Sequence, residues 1–332
     1  MGMHNLNNAR FKLTTGRQVE VENNSFKSVL TPICLSLVSI RALANFTVIK
    51  TGLRSVPPLF LVFLRYLFVI FPLVFFVKRP SVSWRAMAAY GLSIGVGQFS
   101  LLFYSIRIGM PAGLASVVMQ SQAIFTLVLS AMFMRERVGG TRISGMGLAI
   151  VGLGLIGGFF GTEATAVPPA AFLTSLLAAF FWSCANIIVK RASDESARNG
   201  KPLNMMEMLV WSSIFVPLPM LCISLVGDGP DAILQSLTQI DVTAVFSVLY
   251  LVILSTLFAY YVWNRMIGIY SAGRVAPFSL LVPVTGLLSA MLIHGERVTS
   301  SQWAGIAAVL AGLAVFQFGE RLPGASRFGK NR

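Results

Sequence analysis

Charge is scarce in this chain. Asp, Glu, Lys and Arg together make up 11% of its 332 residues, where a soluble domain carries roughly 25%. Acids are the rarer sign, 12 against 26 Lys and Arg, and there are two histidines, His4 and His294. The three cysteines, Cys34, Cys184 and Cys222, all lie inside apolar runs. Each shortage excludes something. The cysteine spacing gives neither a metal site nor a disulfide framework. There is no HExxH, no GxSxG and no pair of carboxylates within an apolar run, so no catalytic set, metal or cofactor is expected. A Walker motif is missing too, which excludes direct drive by ATP. Residues 1–27 are polar and hold no apolar core, so they are read as a cytosolic leader and not as a signal peptide.

What fills the chain instead is apolar. Hydrophobic residues make up 55% of it and the mean hydropathy is +0.76. One globule cannot hide that much apolar surface, so the expected fold class is an all-α integral membrane protein whose first partner is the lipid bilayer. A spanning helix takes about 20 apolar residues, a membrane strand about 10 that alternate. The runs here are long and do not alternate. Ten transmembrane helices are predicted, at about 29–50, 57–77, 86–106, 111–134, 141–160, 168–190, 205–226, 242–268, 273–293 and 300–318. The longest connections lie near 191–204 and 227–241, which leaves no room for a soluble domain.

The basic residues orient these spans. With the leader placed in the cytosol, 20 of the 26 Lys and Arg fall on that side. Lys50, Arg54, Arg107 and Arg297 fall on the other, and Arg41 and Arg65 lie inside spans. Cytosolic loops hold the excess of Lys and Arg, so the N- and C-termini are both predicted to be cytosolic. The net charge of +14 is then a topology signal. Spread over many loops, it offers no clustered face to nucleic acid.

A repeat runs through the chain with an offset of 160 residues. Ala112 and Gly113 recur as Ala272 and Gly273, Glu136-Arg137-Val138 as Glu296-Arg297-Val298, and Gly145, Gly152 and Leu153 as Gly305, Gly312 and Leu313. Apolar sequence matches glycine and alanine by chance, but seldom a polar triplet in register between two glycine-bearing segments. The offset spans five helices. An odd number turns the second copy over, which gives a 5+5 inverted-topology repeat, the plan of many secondary transporters. The predicted units are a leader (1–27), a first repeat (28–161), a second repeat (166–320) and a basic tail (321–332).

Four stretches carry a resemblance: NFTVIKTGL at 45–53, MPAGLASVVMQSQAIFT at 110–126, RVAPFSLLVPVTGLLSA at 274–290 and GERV at 295–298. They resemble the EamA family of the drug/metabolite transporter superfamily, and within it the bacterial exporters of O-acetylserine and cysteine. The likeness covers about 28–320. Where the family usually has Trp-Gly before the Asn-Phe of the first helix, this chain has Ala42 and Leu43. The resemblance implies a multi-pass inner-membrane exporter of small amino-acid-like metabolites, with its site in a central cavity. The assembly is left open, a homodimer included.

Polar groups within the spans are the candidates for that site, because hydrocarbon penalises them. Arg65 lies eight residues into the second span, about 12 Å deep at 1.5 Å per residue. It either grips a substrate carboxylate with its bidentate fork or bonds to backbone carbonyls. Gln120 and Gln122, two residues apart, face different sides of one helix. Only one of them is expected to face the cavity and meet a zwitterionic substrate, the alternative being a bond across to another helix. Gln98 and Tyr104 are candidates in the third span, Asn45 and Asn186 in matching places of the first and sixth, Trp182 mid-span, and Tyr260 in the eighth. Pro283 and Pro277 deprive the ninth span of two backbone bonds, freeing the carbonyls of Ser279 and Gly273. Irregular backbone at such depth is expected beside protein or a cavity. Trp263 reads as an interfacial anchor. The pairs Gly91/Gly95, Gly154/Gly158 and Ala308/Gly312 read as close helix packing. Two rival functions remain: a carrier of a phosphorylated sugar or nucleotide-sugar, for which Arg41 with Arg65 would supply the charge, and an intramembrane enzyme, which the missing catalytic motifs disfavour.

Overall fold

A computed structural model of the chain describes residues 45–135, 138–159, 167–259, 261–262 and 280–319. Among them all regular structure is helical, with no strand. In chain order the helices are α1 (45–52), α2 (Pro58–Ile70), α3 (Trp84–Arg107), α4 (Ala112–Met134), α5 (Gly140–Ile156), α6 (Pro169–Arg198), α7 (Met205–Ser213), α8 (Pro217–Gly227), α9 (Pro230–Thr238), α10 (Val242–Phe258), α11 (Leu281–His294) and α12 (Ser300–Phe318). Five of them, α2 with its following turn, α3, α4, α6 and α12, are long and apolar enough to cross a membrane. The number rises to seven if the bent pairs α7–α8 and α9–α10 each count as one, and α5 and α11 are shorter apolar helices.

The caps follow from the sequence. Pro58, Pro169, Pro217 and Pro230 open their helices at the first turn, where a missing N–H is no loss. Thr299 and Gln302 form a reciprocal capping box at the start of α12. Asp241 caps α10, accepting from Ala244 N–H at 2.6 Å and from the Ser55 hydroxyl at 2.9 Å. Those donors, the Ala244 amide first, hold its carboxyl below the ordinary value.

Three expectations are corrected. The stretch 191–204 is not all loop, since α6 runs on to Arg198. Hydropathy marks where the bilayer ends, whereas Arg191, Asp194, Glu195 and Arg198 at three- and four-residue spacing carry the helix further. The stretch 227–241 holds α9, opened by Pro230 with Asp231 in its first turn. The predicted span 205–226 is broken into α7 and α8 with a 50° bend, because Pro217 cannot continue the ladder of α7.

Two further irregularities have no counterpart in the sequence reading. α3 widens into a π-helical stretch over Leu92–Phe99, and α10 does so over Tyr250–Phe258. Moved by 160 residues, the first would fall on 252–259, so the two nearly coincide in the repeat. The helix-ending residues coincide as well: Arg135 (φ 54°) after α4 and Gly295 (φ 62°) after α11, 160 apart, are both left-handed.

α5 and α12 pack backbone to backbone. A Cβ on Gly145 would stand 2.5 Å from the carbonyl oxygen of Gly312, and one on Gly152 would stand 2.6 Å from that of Gly305. As the first index rises the second falls, so the helices run antiparallel. Adding 160 turns Gly145 into Gly305 and Gly152 into Gly312, which exchanges the two contacts. Small residues that let backbones meet are the usual membrane interface. On the outside, Phe75, Phe76, Leu218, Val226 and Leu292 are exposed. Inside, many buried hydroxyls, including Ser105, Ser116, Ser212 and Ser213, bond to carbonyls three or four residues back. An apolar exterior over a hydroxyl-dotted interior is what hydrocarbon solvent demands.

Candidate functional site

Arg65 is the centre of the polar interior. It is 2% exposed. Its Nε and Nη2 donate to the Thr256 hydroxyl at 3.1 and 2.8 Å, and its guanidinium carbon lies 3.9 Å from the centre of the Phe99 ring. Thr256 in turn donates to the carbonyl of Leu251 at 2.7 Å, so this one hydroxyl gives its proton and accepts twice. Phe99 ends the π-helical stretch of α3 and Thr256 lies in that of α10. Wide turns of this kind recur at functional sites. The cation therefore sits where α2 meets both irregular helices, with a ring face beneath it that favours positive charge.

Gln98 precedes Phe99 in the same stretch. It is 4% exposed, and its Oε1 has no hydrogen-bond partner among the described residues. A buried amide oxygen left so calls for a donor. Tyr104, six residues on, is 43% exposed, so the two lie on different sides of α3 and are not brought together.

A second polar group joins α4 to α6. Asn186 Nδ2 donates to Gln122 Oε1 at 2.8 Å and to the Thr126 hydroxyl at 3.2 Å. Thr126 lies one turn from Gln122 and faces it at 3.5 Å. Gln120 is buried on another side, in the tight turn Met119–Ser121 that interrupts α4. Trp182, one turn before Asn186, is half-buried and touches both hydrophobic clusters of the core. Asn45, the first described residue, accepts from the Ser255 hydroxyl, which ties α1 to α10 beside Thr256. The two asparagines thus both bridge helices, with different partners. Pro283 is buried in the first turn of α11, and its carbonyl accepts from Ser116 at 3.2 Å. Tyr260, Trp263, Pro277, Ser279 and Arg41 lie outside the described residues.

A cavity of about 500 Å³ opens where α4 and α6 end, lined by Phe133, Met134, Arg191, Asp194, Glu195 and Arg198. Arg191 donates to the Phe133 carbonyl at 3.2 Å there. No group of His, Cys, Asp and Glu among the described residues could hold a metal ion. Sequence reasoning missed Thr256, Phe99, Ser255 and Thr126. A hydroxyl or a phenyl ring in an apolar run gives no signal, because most of them bond to their own helix or pack.

The family model described as the EamA-like transporter family matches residues 31–158 and again 169–318. A "Probable amino-acid metabolite efflux pump" of Salmonella typhimurium (strain LT2) is 44% identical over 284 residues, which is 85% of this chain and 93% of that one. Its namesake in Escherichia coli (strain K12) is 42% identical over 286 residues, 86% of this chain and 94% of that one. One solved crystal structure, 16% identical, superposes with a TM-score of 0.56 over 90% of this chain and 99% of its own, a likeness of fold alone.

Proposed function

The chain belongs to the EamA-like transporter family, and from that premise we propose that it exports small amino-acid metabolites, with cysteine and O-acetylserine as the first candidates. It is a membrane-embedded transporter and not an enzyme, as the family is. One observation carries the substrate class: over 85–86% of the chain, 42–44% of the aligned residues are shared with two pumps named for amino-acid metabolites. The substrate is then a zwitterion in water on both sides and needs polar partners on its way. Arg65 supplies a cation for its carboxylate, and the Gln98 carbonyl an acceptor for its ammonium group. The joined amides of Gln122 and Asn186 are proposed as further polar partners on that route, and Gln120, on another side of α4, as the alternative to Gln122. Cells overproducing the protein should release several-fold more labelled cysteine or O-acetylserine than cells with an empty vector. Equal release of both, with other amino acids also unchanged, would end this reading. Release of a phosphorylated sugar instead would turn it toward the carrier alternative.

The mechanism we propose is alternating access between two five-helix halves of opposite orientation, ten spans in all, with both ends in the cytosol. The reciprocal Gly145–Gly312 and Gly152–Gly305 contacts support the inversion, as do the matched π-helical stretches. The Lys/Arg asymmetry supports the orientation. A cysteine placed at the exposed Gln239 of an otherwise cysteine-free chain should react with a membrane-impermeant maleimide added to intact cells. One at the exposed Asn199 should react only after the cells are opened. The reverse pattern would overturn the orientation.

A further inference from the structure

The Glu-Arg-Val triplet marks the repeat but has no part in the route just described. Its glutamate is nevertheless among the best-connected side chains of the structure. α11 ends at His294, and Gly295 turns the chain with φ 62° so that Glu296 N–H donates to Ala290 O at 3.3 Å. A side chain other than glycine is strained at such a φ. The turn brings the Glu296 carboxylate to the start of α4. Its Oε1 accepts from Lys50 Nζ at 2.6 Å and from Ala112 N–H at 2.9 Å, and its Oε2 accepts from Gly113 N–H at 3.0 Å. The Glu296 side chain is 9% exposed and that of Lys50 31%. Charge-assisted bonds to the first amides of a helix also gain from its dipole.

One carboxylate thus joins the end of α1, the start of α4 and the turn after α11. Lys50 and α4 belong to the first half of the chain and Glu296 to the second. The seam between α1 and α11 continues inward from there. Ring nitrogen Nε2 of His294 lies 3.2 Å from Thr47 O, and the Thr47 and Ser289 hydroxyls share a hydrogen bond of 2.8 Å. Lys50 and Glu296 fall on the face that the Lys/Arg count makes non-cytosolic. A path that opens to this face between the halves has to part these groups. The Lys50 side chain is 31% exposed, so water can take up its half of the ion pair when the contact parts.

We propose that Glu296, Lys50 and the amides of Ala112 and Gly113 form a latch that holds the α1–α11 seam shut at the non-cytosolic face, and that its release opens the substrate path to that side. The proposal rests on the alternating-access reading. The repeat equivalent of Glu296, Glu136, lies outside the described residues and has no part in it.

The test places a reporter cysteine at Ser289, which is fully buried in the seam, in a chain whose Cys34, Cys184 and Cys222 are serine. With the latch intact, a membrane-impermeant maleimide added to intact cells should label it slowly. Glu296→Gln should speed that labelling roughly tenfold, the shift in a two-state equilibrium expected on losing one charge-assisted hydrogen bond. Lys50→Met leaves the helix cap in place and should act in the same direction with a smaller effect, whereas Lys50→Arg should restore the slow rate. The amount of monodisperse protein recovered separates opening from misfolding. Unchanged labelling in both Glu296→Gln and Lys50→Met overturns the latch, and so does acceleration seen only in inside-out vesicles. Export is measured in the same cells. Export with unchanged labelling removes the latch and leaves the transport reading intact. Accelerated labelling in a chain that exports none of the amino acids tried removes the substrate reading and leaves the latch.

Discussion

Leucine in place of Gly152 should leave little folded protein in the membrane. The Cβ alone would stand 2.6 Å from the carbonyl oxygen of Gly305 and 2.7 Å from the amide nitrogen of Val309. Both are backbone atoms within a helix and cannot swing aside, so α5 and α12 must separate. Separation forfeits the close packing that holds helices together where no hydrophobic effect acts between them. Overpacking of a well-packed core typically costs about 1–3 kcal/mol, and here a whole helix pair has to move. Gly312→Leu should cost nearly as much, because its Cβ would stand 2.5 Å from the carbonyl oxygen of Gly145 in the repeat-related contact. Gly147 is the control. It lies on the same helix, is exposed, and a Cβ added to it would meet nothing within 4 Å, so Gly147→Leu should be harmless. Yield of monodisperse protein and its melting temperature in detergent decide the matter. Equal values for the Gly152 and Gly147 variants would remove the α5–α12 seam as a source of stability. A harmless Gly312→Leu beside a damaging Gly152→Leu would break the symmetry argument.

The repeat is legible because its Glu-Arg-Val triplet is a polar match that apolar sequence seldom gives by chance, whereas the α5–α12 seam is not, because an offset between glycines says nothing of contact in space. Gly145, Gly152, Gly305 and Gly312 pair by offset in the sequence but pair differently in space. The helix ends are less legible. Hydropathy reports the solvent and not the backbone, so it stops α6 at residue 190 while charges at helical spacing carry it to Arg198. The break at Pro217 is written in the sequence but hidden from hydropathy, since both sides of it are apolar. The π-helical stretches have no signature at all, because an extra residue in a turn changes no residue type. The rule that polar groups in hydrocarbon are suspect picks Arg65, Gln98 and Gln120, which are buried, and Gln122 and Asn186, which bridge α4 and α6. It also picks Tyr104, whose exposure depends on a helical face that one aromatic hydroxyl could not fix. Thr256 escapes it, since a threonine can satisfy itself on its own backbone. Glu296 escapes because the rule looks inside spans, whereas this carboxylate works from beyond the end of one and reaches amides 183 and 184 residues away.

Replacing Arg65 with glutamine should raise the substrate concentration needed for half-maximal export by roughly tenfold to a hundredfold. That is the effect of losing a charged hydrogen bond of about 1.5–3 kcal/mol. The expectation follows from the cation's depth and setting. It is 2% exposed, seated on the Phe99 ring and held by Thr256 at the meeting of α2, α3 and α10. A guanidinium fixed on one edge by a hydroxyl and on one face by a ring is pre-oriented, so little rotamer freedom remains to be lost when a carboxylate arrives. Lysine should rescue only partly, because an ammonium lacks the planar fork and cannot lie on the ring with the same donors turned to Thr256. Thr256→Val tests the holding separately. It removes the acceptor for Nε and Nη2 without touching the charge, and should weaken export less than Arg65→Gln does. The same residues admit a purely structural role, as a polar tie between α2 and α10, and the measurements part the two. A tie that is cut lowers the amount of folded protein and leaves export per folded molecule near normal. A substrate contact that is cut leaves the protein in the membrane and raises the half-saturating concentration. Unchanged export per folded molecule in Arg65→Gln would therefore remove Arg65 from the substrate path and leave the amides of Gln98, Gln122 and Asn186 to receive the zwitterion without it.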